Sequence, residues 1–144
     1  MQALEWLKEG RFVSGTPHSA AIGMEMVDVS PGRGVLKLTW REDLVGDAAT
    51  GVLAGGVVTA LLDHVCGLAV VAALTDRAQP ATIDLRIDYL RPAEPRRDLY
   101  ASAECYRLTR SVAFVRASAY EADAGHPVAI AQGAFILNRE GDAP

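Results

Sequence analysis

Cysteine and histidine, the residues that most often mark metal, redox and disulfide sites, are scarce in this sequence. Its 144 residues include two cysteines and three histidines. Cys66 and Cys105 lie in apolar surroundings and fit no C-x-x-C spacing, so we expect both to be reduced core residues. The histidines have no metal-ligand spacing, and no G-x-S-x-G motif is present. We therefore expect no metal, no resident cofactor and no Ser-His-Asp hydrolase.

Positive charge is also sparse. The 14 Lys and Arg residues against 18 Asp and Glu give a formal net charge of −4. Without a run of basic residues the chain has no field suited to a phosphate backbone, so we expect no nucleic-acid partner. Residues 1–10 mix both signs of charge and contain no apolar stretch of signal-peptide length, which predicts a cytoplasmic protein.

One long apolar run covers residues 55–74 and approaches the ~20 residues that a membrane helix needs. Its centre carries Asp63 and His64, and a charged carboxylate at mid-bilayer costs roughly 3 kcal/mol. No Lys or Arg cluster flanks the run. The sequence therefore predicts a buried helix and no membrane contact.

Hydrophobic periodicity divides the rest of the chain. A short amphipathic helix that ends at Gly10 is predicted within residues 2–12. Alternation from Ile22 to Trp40, broken by a Pro-Gly turn, predicts a hairpin, and residues 41–50 form a polar loop. After the apolar helix, strands are predicted over residues 81–90, 99–108, 111–121 and 128–137.

Side chains in the segment 82–90 alternate between two faces of its strand. Those expected to face the core are Ile83, Leu85, Ile87 and Tyr89. Those expected to face away, toward solvent or a second dimer, are Asp84, Arg86 and Asp88. Consecutive strands with short turns favour an antiparallel sheet, and a helix that is apolar on nearly every side needs a sheet that curls around it. We therefore predict a single α+β domain over residues 1–144, with a curved antiparallel sheet wrapped around one long central helix.

The entrance of the apolar helix carries Gly55 and Gly56, and Asp63 follows two turns later. Taken alone, the glycine pair is more typical of a turn. At a helix entrance, however, glycines permit close approach and leave outward-pointing amides that can stabilise an oxyanion. A carboxylate among apolar residues must be compensated or functional. Because the helix rises ~1.5 Å per residue, Gly55 and Asp63 lie ~12 Å apart, so they can act on one carbonyl only across a two-fold axis between subunits.

Residues 50–63, Thr-Gly-Val-Leu-Ala-Gly-Gly-Val-Val-Thr-Ala-Leu-Leu-Asp, resemble the HGG-x6-D signature of hotdog thioesterases related to the phenylacetic acid degradation and 4-hydroxybenzoyl-CoA thioesterases. The segment 82–92 is similar to that family's following strand, and the likeness extends over about residues 22–137. The resemblance implies a hotdog fold and hydrolysis of an acyl-CoA to a carboxylate and CoA, with CoA entering only as part of the substrate. With the shared site that the helical rise requires, we expect a homodimer, and the sequence leaves open whether two of these pair into a dimer of dimers, a tetramer.

The family's roles carry over onto matching positions of this chain. Asp63 would be the nucleophile or the general base that activates water, while the amides of Gly55 and Gly56 would polarise the thioester carbonyl. Thr82 corresponds to a hydroxyl that helps to position water. The expected contacts of the substrate and its CoA moiety are Ala54, Asp47, His64, Arg91, Arg110 and Ser111. Of these, His64 points about 100° away from Asp63 around the helix, so we expect a core or interface histidine and not a catalytic partner.

Two positions depart from the family's pattern. Ala54 replaces the signature histidine; because a backbone amide does not depend on its neighbour's side chain, the change bears on substrate placement and turnover. Asp47 stands where many relatives have Asn and would repel Asp63 if the two approached closely. The altered signature leaves two other functions open: a non-catalytic acyl-CoA binding module, and an enoyl-thioester hydratase, which needs a histidine that converges with the carboxylate. The acyl group is not specified by the sequence.

Overall fold

The computed structural model of the protein describes residues 2–139 and 141. The helices are α1 (Gln2–Lys8), α2 (Arg11–Ser14), α3 (Pro17–Ala21) and α4 (Gly55–Ala73). The strands are β1 (Met24–Ser30), β2 (Arg33–Leu38), β3 (Val45–Asp47), β4 (Val52–Leu53), β5 (Gln79–Tyr89), β6 (Leu99–Leu108), β7 (Val112–Tyr120) and β8 (Ala129–Asn138). One antiparallel sheet has the order β1-β2-β6-β7-β8-β5, and β3 and β4 form a separate ribbon.

Helix α4 crosses one face of this sheet and is buried along most of its length. Small residues beneath it permit a close approach: a Cβ atom on Gly34 would come within 2.5 Å of the Leu68 side chain. The helix is long and apolar enough to span a membrane, yet more than half of it is buried inside the fold, as is usual for a core helix. The uncovered side of α4 carries Gly55, Gly56 and Asp63, so these three residues remain accessible from outside the chain.

A β-bulge in β5 sets the direction of the residues at its start. Thr82 pairs with Phe135 and Asp84 pairs with Ala134, so Ile83 has no partner of its own. The extra residue shifts the alternation by one, and Thr82 turns to the face that packs on α4. The prediction that Ile83 faces the core is wrong, because its side chain is 57% exposed.

The predicted fold class is confirmed, with one antiparallel sheet over one central helix. Helix α4 begins at the predicted residue, and β1 and β2 form the predicted hairpin. The predicted N-terminal helix ends before Gly10, whose φ of 73° ends the helical geometry, and Arg11–Ser14 form the separate short helix α2. The predicted loop at 41–50 contains a 3-10 turn, Glu42–Leu44, and strand β3.

Candidate active site

The entrance of α4 is held in place by the ribbon that precedes it. The Ala54 amide donates to the Leu44 carbonyl at 2.9 Å, and the Ala54 carbonyl accepts from the Val57 amide at 3.0 Å. Gly46 packs so closely that an added Cβ atom would lie 2.9 Å from the Ala54 Cα atom. Ala54 therefore acts as the helix cap in an extended conformation and fixes where the first turn begins.

The amides of Gly55 and Gly56 follow directly and point out of the helix. Within the described residues neither amide has a backbone acceptor, as expected for the first turn of a helix. Both glycines are exposed. A Cβ atom on Gly56 would meet nothing within 4 Å, and neither residue has a positive φ. The fold of one chain thus does not require glycine at position 56, which points to close approach by something outside that chain.

Asp63 lies on the same exposed side of α4, and its carboxylate accepts a 2.9 Å hydrogen bond from the Thr82 hydroxyl. The bulge in β5 brings Thr82 to this position, because regular alternation would place it on the outer face with Asp84. The carboxylate is therefore held on one side and remains half-accessible on the other.

A group of three oxygens lies between the end of β5 and the first turn of α4. The Tyr89 hydroxyl donates to the Gly55 carbonyl at 2.9 Å and is in short contact with the Thr59 hydroxyl. The Thr59 hydroxyl in turn lies 3.1 Å from the same carbonyl. Neither Tyr89 nor Thr59 is among the site residues predicted from the sequence. The signal that could have found Tyr89 is a hydroxyl-bearing side chain at an inward position of an otherwise aliphatic strand.

A cavity of about 360 Å³ opens beside Gly55. Apolar groups dominate its wall, which includes Leu53, Val58, Tyr89, Leu90 and Val128. Asp63 is not part of this wall, in agreement with the ~12 Å between it and Gly55 along the helix axis. One chain therefore presents an apolar cavity with free amides at one place and a carboxylate at another.

His64, counted among the substrate contacts but expected to be a core or interface histidine, is engaged within the chain. Its ring stacks on Phe12 with centroids 4.5 Å apart, and its Nε2 atom lies 3.1 Å from the Phe12 carbonyl oxygen. Burial lowers the pKa of His64, which favours the neutral ring. These contacts join α2 to α4 and do not direct the imidazole toward the carboxylate of Asp63.

Arg91, predicted to meet CoA, lines the cavity beside Gly55 and is held there by an ion pair with Glu121. Its guanidinium donates to both carboxylate oxygens of Glu121, at 2.9 and 2.6 Å, and to the His126 carbonyl at 2.8 Å. Glu121 is only 6% exposed, and its ion pair with Arg91 lowers the pKa of the Glu121 carboxyl to about 2. The Glu94 amide donates a further bond to the Glu121 carboxylate at 2.8 Å. These bonds support the loop beside the cavity, and the contact of Arg91 with CoA stays a prediction.

The other predicted contacts are dispersed. Asp47 accepts from the Ala49 amide at 3.0 Å and the Thr50 hydroxyl at 3.1 Å, so its carboxylate closes its own turn. Arg110 and Ser111 are exposed in the turn between β6 and β7, near the start of β5. Their side chains make no hydrogen bond to other described residues, which leaves them available to a ligand.

The Thioesterase superfamily model matches residues 50–127, more than half of the chain, including the helix entrance, Asp63 and Thr82. The chain belongs to this superfamily. The medium/long-chain acyl-CoA thioesterase YigI of Escherichia coli K12 is 32% identical over 128 residues, which cover 80% of this chain and 81% of that protein. The predictions of a hotdog fold and of a thioester hydrolase are thereby confirmed.

Solved structures agree with this membership. A crystal structure of a Pseudomonas aeruginosa protein has a TM-score of 0.80 and 40% identity, and the match covers 88% of this thioesterase and 93% of that chain. A mutant of the phenylacetic acid degradation protein PaaI from Thermus thermophilus has a TM-score of 0.73 and 27% identity, over 84% of this chain and 98% of that chain.

Proposed function

We propose that the enzyme hydrolyses acyl-CoA thioesters in active sites that two subunits share. The observation that carries the proposal is the separation, within one chain, of a held carboxylate at Asp63 from free amides at Gly55 and Gly56 beside an apolar cavity. The carboxylate can activate the nucleophile and the amides can stabilise the oxyanion. Thioester hydrolysis needs both groups at one carbonyl. The 32% identity to an acyl-CoA thioesterase supports the substrate class.

In this reaction Asp63 either attacks the thioester carbonyl carbon directly or takes a proton from the attacking water. The amides of Gly55 and Gly56 from the other subunit hold the negative charge that develops on the carbonyl oxygen. The C–S bond then breaks and CoA leaves as the thiol. On the direct route the attack gives a mixed anhydride of Asp63 and the acyl group, and water then hydrolyses this anhydride to free Asp63. On either route water supplies the hydroxyl group of the carboxylic acid and the proton of the CoA thiol, so no resident metal or redox cofactor is needed.

The position of β5 supports a homodimer. This strand of 11 residues forms an edge of the sheet, and an unpaired edge is a template for another strand. Ile83, Tyr89 and Leu90 are exposed along it or just beyond it. Pairing of two β5 strands about a two-fold axis would extend the sheet and cover these side chains. It would also bring the exposed side of one α4 toward the other.

Charge on the outer face of the sheet supports a further pairing of dimers in the cytoplasm. Arg33, Arg116 and Arg86 lie in one row across the strands, together with Glu104. The next row contains Asp28 and Asp88. Two rows of opposite net charge on one surface are self-complementary about a two-fold axis. We expect light scattering to detect a tetramer at low salt that dissociates to dimers at high salt.

The test is release of free thiol from acetyl-, octanoyl-, palmitoyl- and benzoyl-CoA. The wild type should be active, with medium and long chains preferred because the cavity is apolar, and Asp63→Asn should lose ~10³-fold or more in kcat while still binding an unhydrolysable analogue. Asp84→Asn, on the outer face of β5, is the matched control and should keep full activity. Substantial activity of Asp63→Asn would contradict the assignment.

Two other outcomes identify the competing functions. Binding of acyl-CoA by the wild type without thiol release would indicate a binding module. Loss of enoyl absorbance from crotonyl-CoA would indicate a hydratase. The engagement of His64 with Phe12 argues against the hydratase, since that reaction needs a histidine that converges with the carboxylate.

A further inference from the structure

The Gly55 carbonyl belongs to the same peptide unit as the Gly56 amide, and it accepts from hydroxyl groups on two sides. Tyr89 reaches it from the end of β5 at 2.9 Å, and Thr59 reaches it from the next turn of the helix at 3.1 Å. The two hydroxyls also contact each other, and with one proton each they can make two hydrogen bonds among these three contacts: Tyr89 donates to the carbonyl, and Thr59 donates to the carbonyl or to Tyr89. The peptide unit at the helix entrance is therefore tied to the edge strand of the sheet.

This tie adds to the restraint that the first turn of α4 places on the direction of the Gly56 amide. A trans peptide is planar, so its C=O and N–H point in opposite directions, and no peptide bond of the described chain is cis. Two successive glycines have little steric restraint of their own on the rotation of that plane. With the carbonyl anchored to Tyr89, the N–H is held outward, where it has no backbone acceptor among the described residues.

The same bond also makes the Gly56 amide a stronger donor. A hydrogen bond accepted by a peptide oxygen polarises the N–H of that peptide, and chains of such bonds reinforce one another. The positive end of the α4 dipole acts in the same sense at this position. A donor that is both oriented and polarised before the substrate arrives is what stabilisation of an oxyanion requires.

We propose that Tyr89 is a positioning residue for the oxyanion site: its hydroxyl orients and polarises the Gly55–Gly56 peptide so that the Gly56 amide acts as a donor beside that of Gly55. The Tyr89 ring serves a second purpose as a wall of the apolar cavity, 3.9 Å from where a Cβ atom of Gly55 would lie. The proposal rests on the proposed thioesterase function, because it assigns Tyr89 a part in that reaction.

Tyr89→Phe is the test, because it removes the hydroxyl and keeps the ring that packs against Gly55. We expect kcat to fall about tenfold with KM changed less than about twofold, since the lost interaction acts on the transition state. The Gly56 amide proton should move upfield in the ¹H–¹⁵N spectrum as its polarisation is lost. Tyr106→Phe, on the outer face of the sheet, is the matched control and should change neither quantity.

Three results for Tyr89→Phe would overturn the proposal. They are an unchanged kcat, a change in KM alone, and a fall in kcat without a change in the chemical shift of the Gly56 amide proton. The amide shift is measured without substrate, so it separates this proposal from the proposed function. If the wild type released no thiol while Tyr89→Phe still moved the Gly56 resonance, the thioesterase function would fail and the role of Tyr89 in ordering the peptide would stand. An unmoved resonance would refute that role in either case.

Discussion

The Thr82 hydroxyl donates a 2.9 Å hydrogen bond to the Asp63 carboxylate from a strand whose regular alternation would have turned it away. The bulge at Ile83 supplies the necessary shift, and it leaves that residue without a partner on the adjacent strand. Bulges commonly redirect a side chain beside an active site. The bond restricts the rotation of the carboxylate while one side of it stays open.

Thr82→Val should impair catalysis without unfolding the enzyme. Valine is nearly isosteric with threonine but lacks its hydroxyl, which is the only hydroxyl that donates to the Asp63 carboxylate among the described residues. A hydrogen bond to a charged group contributes about 1.5–3 kcal/mol, so kcat should fall roughly 10- to 100-fold while KM changes little. Steady-state kinetics of purified protein measures both constants. Thr82→Ser keeps the hydroxyl and should recover most of the activity; equal loss in both variants would mean that packing, and not the bond, is responsible.

Two inactive chains should restore activity when they form a mixed dimer. Asp63→Asn removes the carboxylate, and Gly56→Val covers the amide at a position where one chain has open space. In a mixed dimer with shared sites, one site is doubly defective and the other is intact. The purified mixed dimer should therefore have about one half of wild-type activity, and an unpurified random mixture of the two chains about one quarter.

Co-expression with two different affinity tags supplies the mixed dimer, and each variant expressed alone is the control. Activity that stays at the background of the single variants would show that each site is built from one chain. A mixed dimer that forms but shows no recovered activity would therefore contradict the shared site. The prediction that the chains form a dimer would still stand.

Helix α4 and the two halves of the site could be predicted from the sequence, because an apolar run with a single carboxylate and a glycine pair is a local pattern. The bulge could not be, since a shift in alternation depends on the register with β8 and not on the residues of β5 alone. The same limit applies to Arg91 and Glu121, which are separated by β6 and β7 in the sequence and meet only in the sheet. Tyr89 fitted the inward pattern, but its hydroxyl partner on α4 is a tertiary contact.

Gly56→Ala should change stability and activity in opposite directions. A Cβ atom meets nothing within 4 Å in the chain, and alanine is favoured over glycine in a helix by up to about 1 kcal/mol, so the free energy of unfolding should rise slightly. The same methyl group stands where the substrate or the partner subunit must approach, so kcat/KM should fall about tenfold or more. Urea denaturation and thiol release measure the two effects. A more stable variant with unchanged kinetics would mean that nothing approaches this amide closely.

Glu121→Gln should destabilise the enzyme in a pH-dependent way. The ion pair with Arg91 lowers the pKa of Glu121 from 4.5 to about 2, so the folded state binds its proton more weakly than the unfolded state does. The stabilisation is therefore complete above about pH 4.5 and disappears as the pH falls toward 2, and at neutral pH it corresponds to roughly 3 kcal/mol. The difference in unfolding free energy between wild type and Glu121→Gln, measured with urea, should shrink across this range. Glu94→Gln breaks the exposed ion pair with Arg97 and should cost less than about 1 kcal/mol. If Glu121→Gln lowered the free energy of unfolding by the same amount at every pH, the effect would come from packing and not from charge.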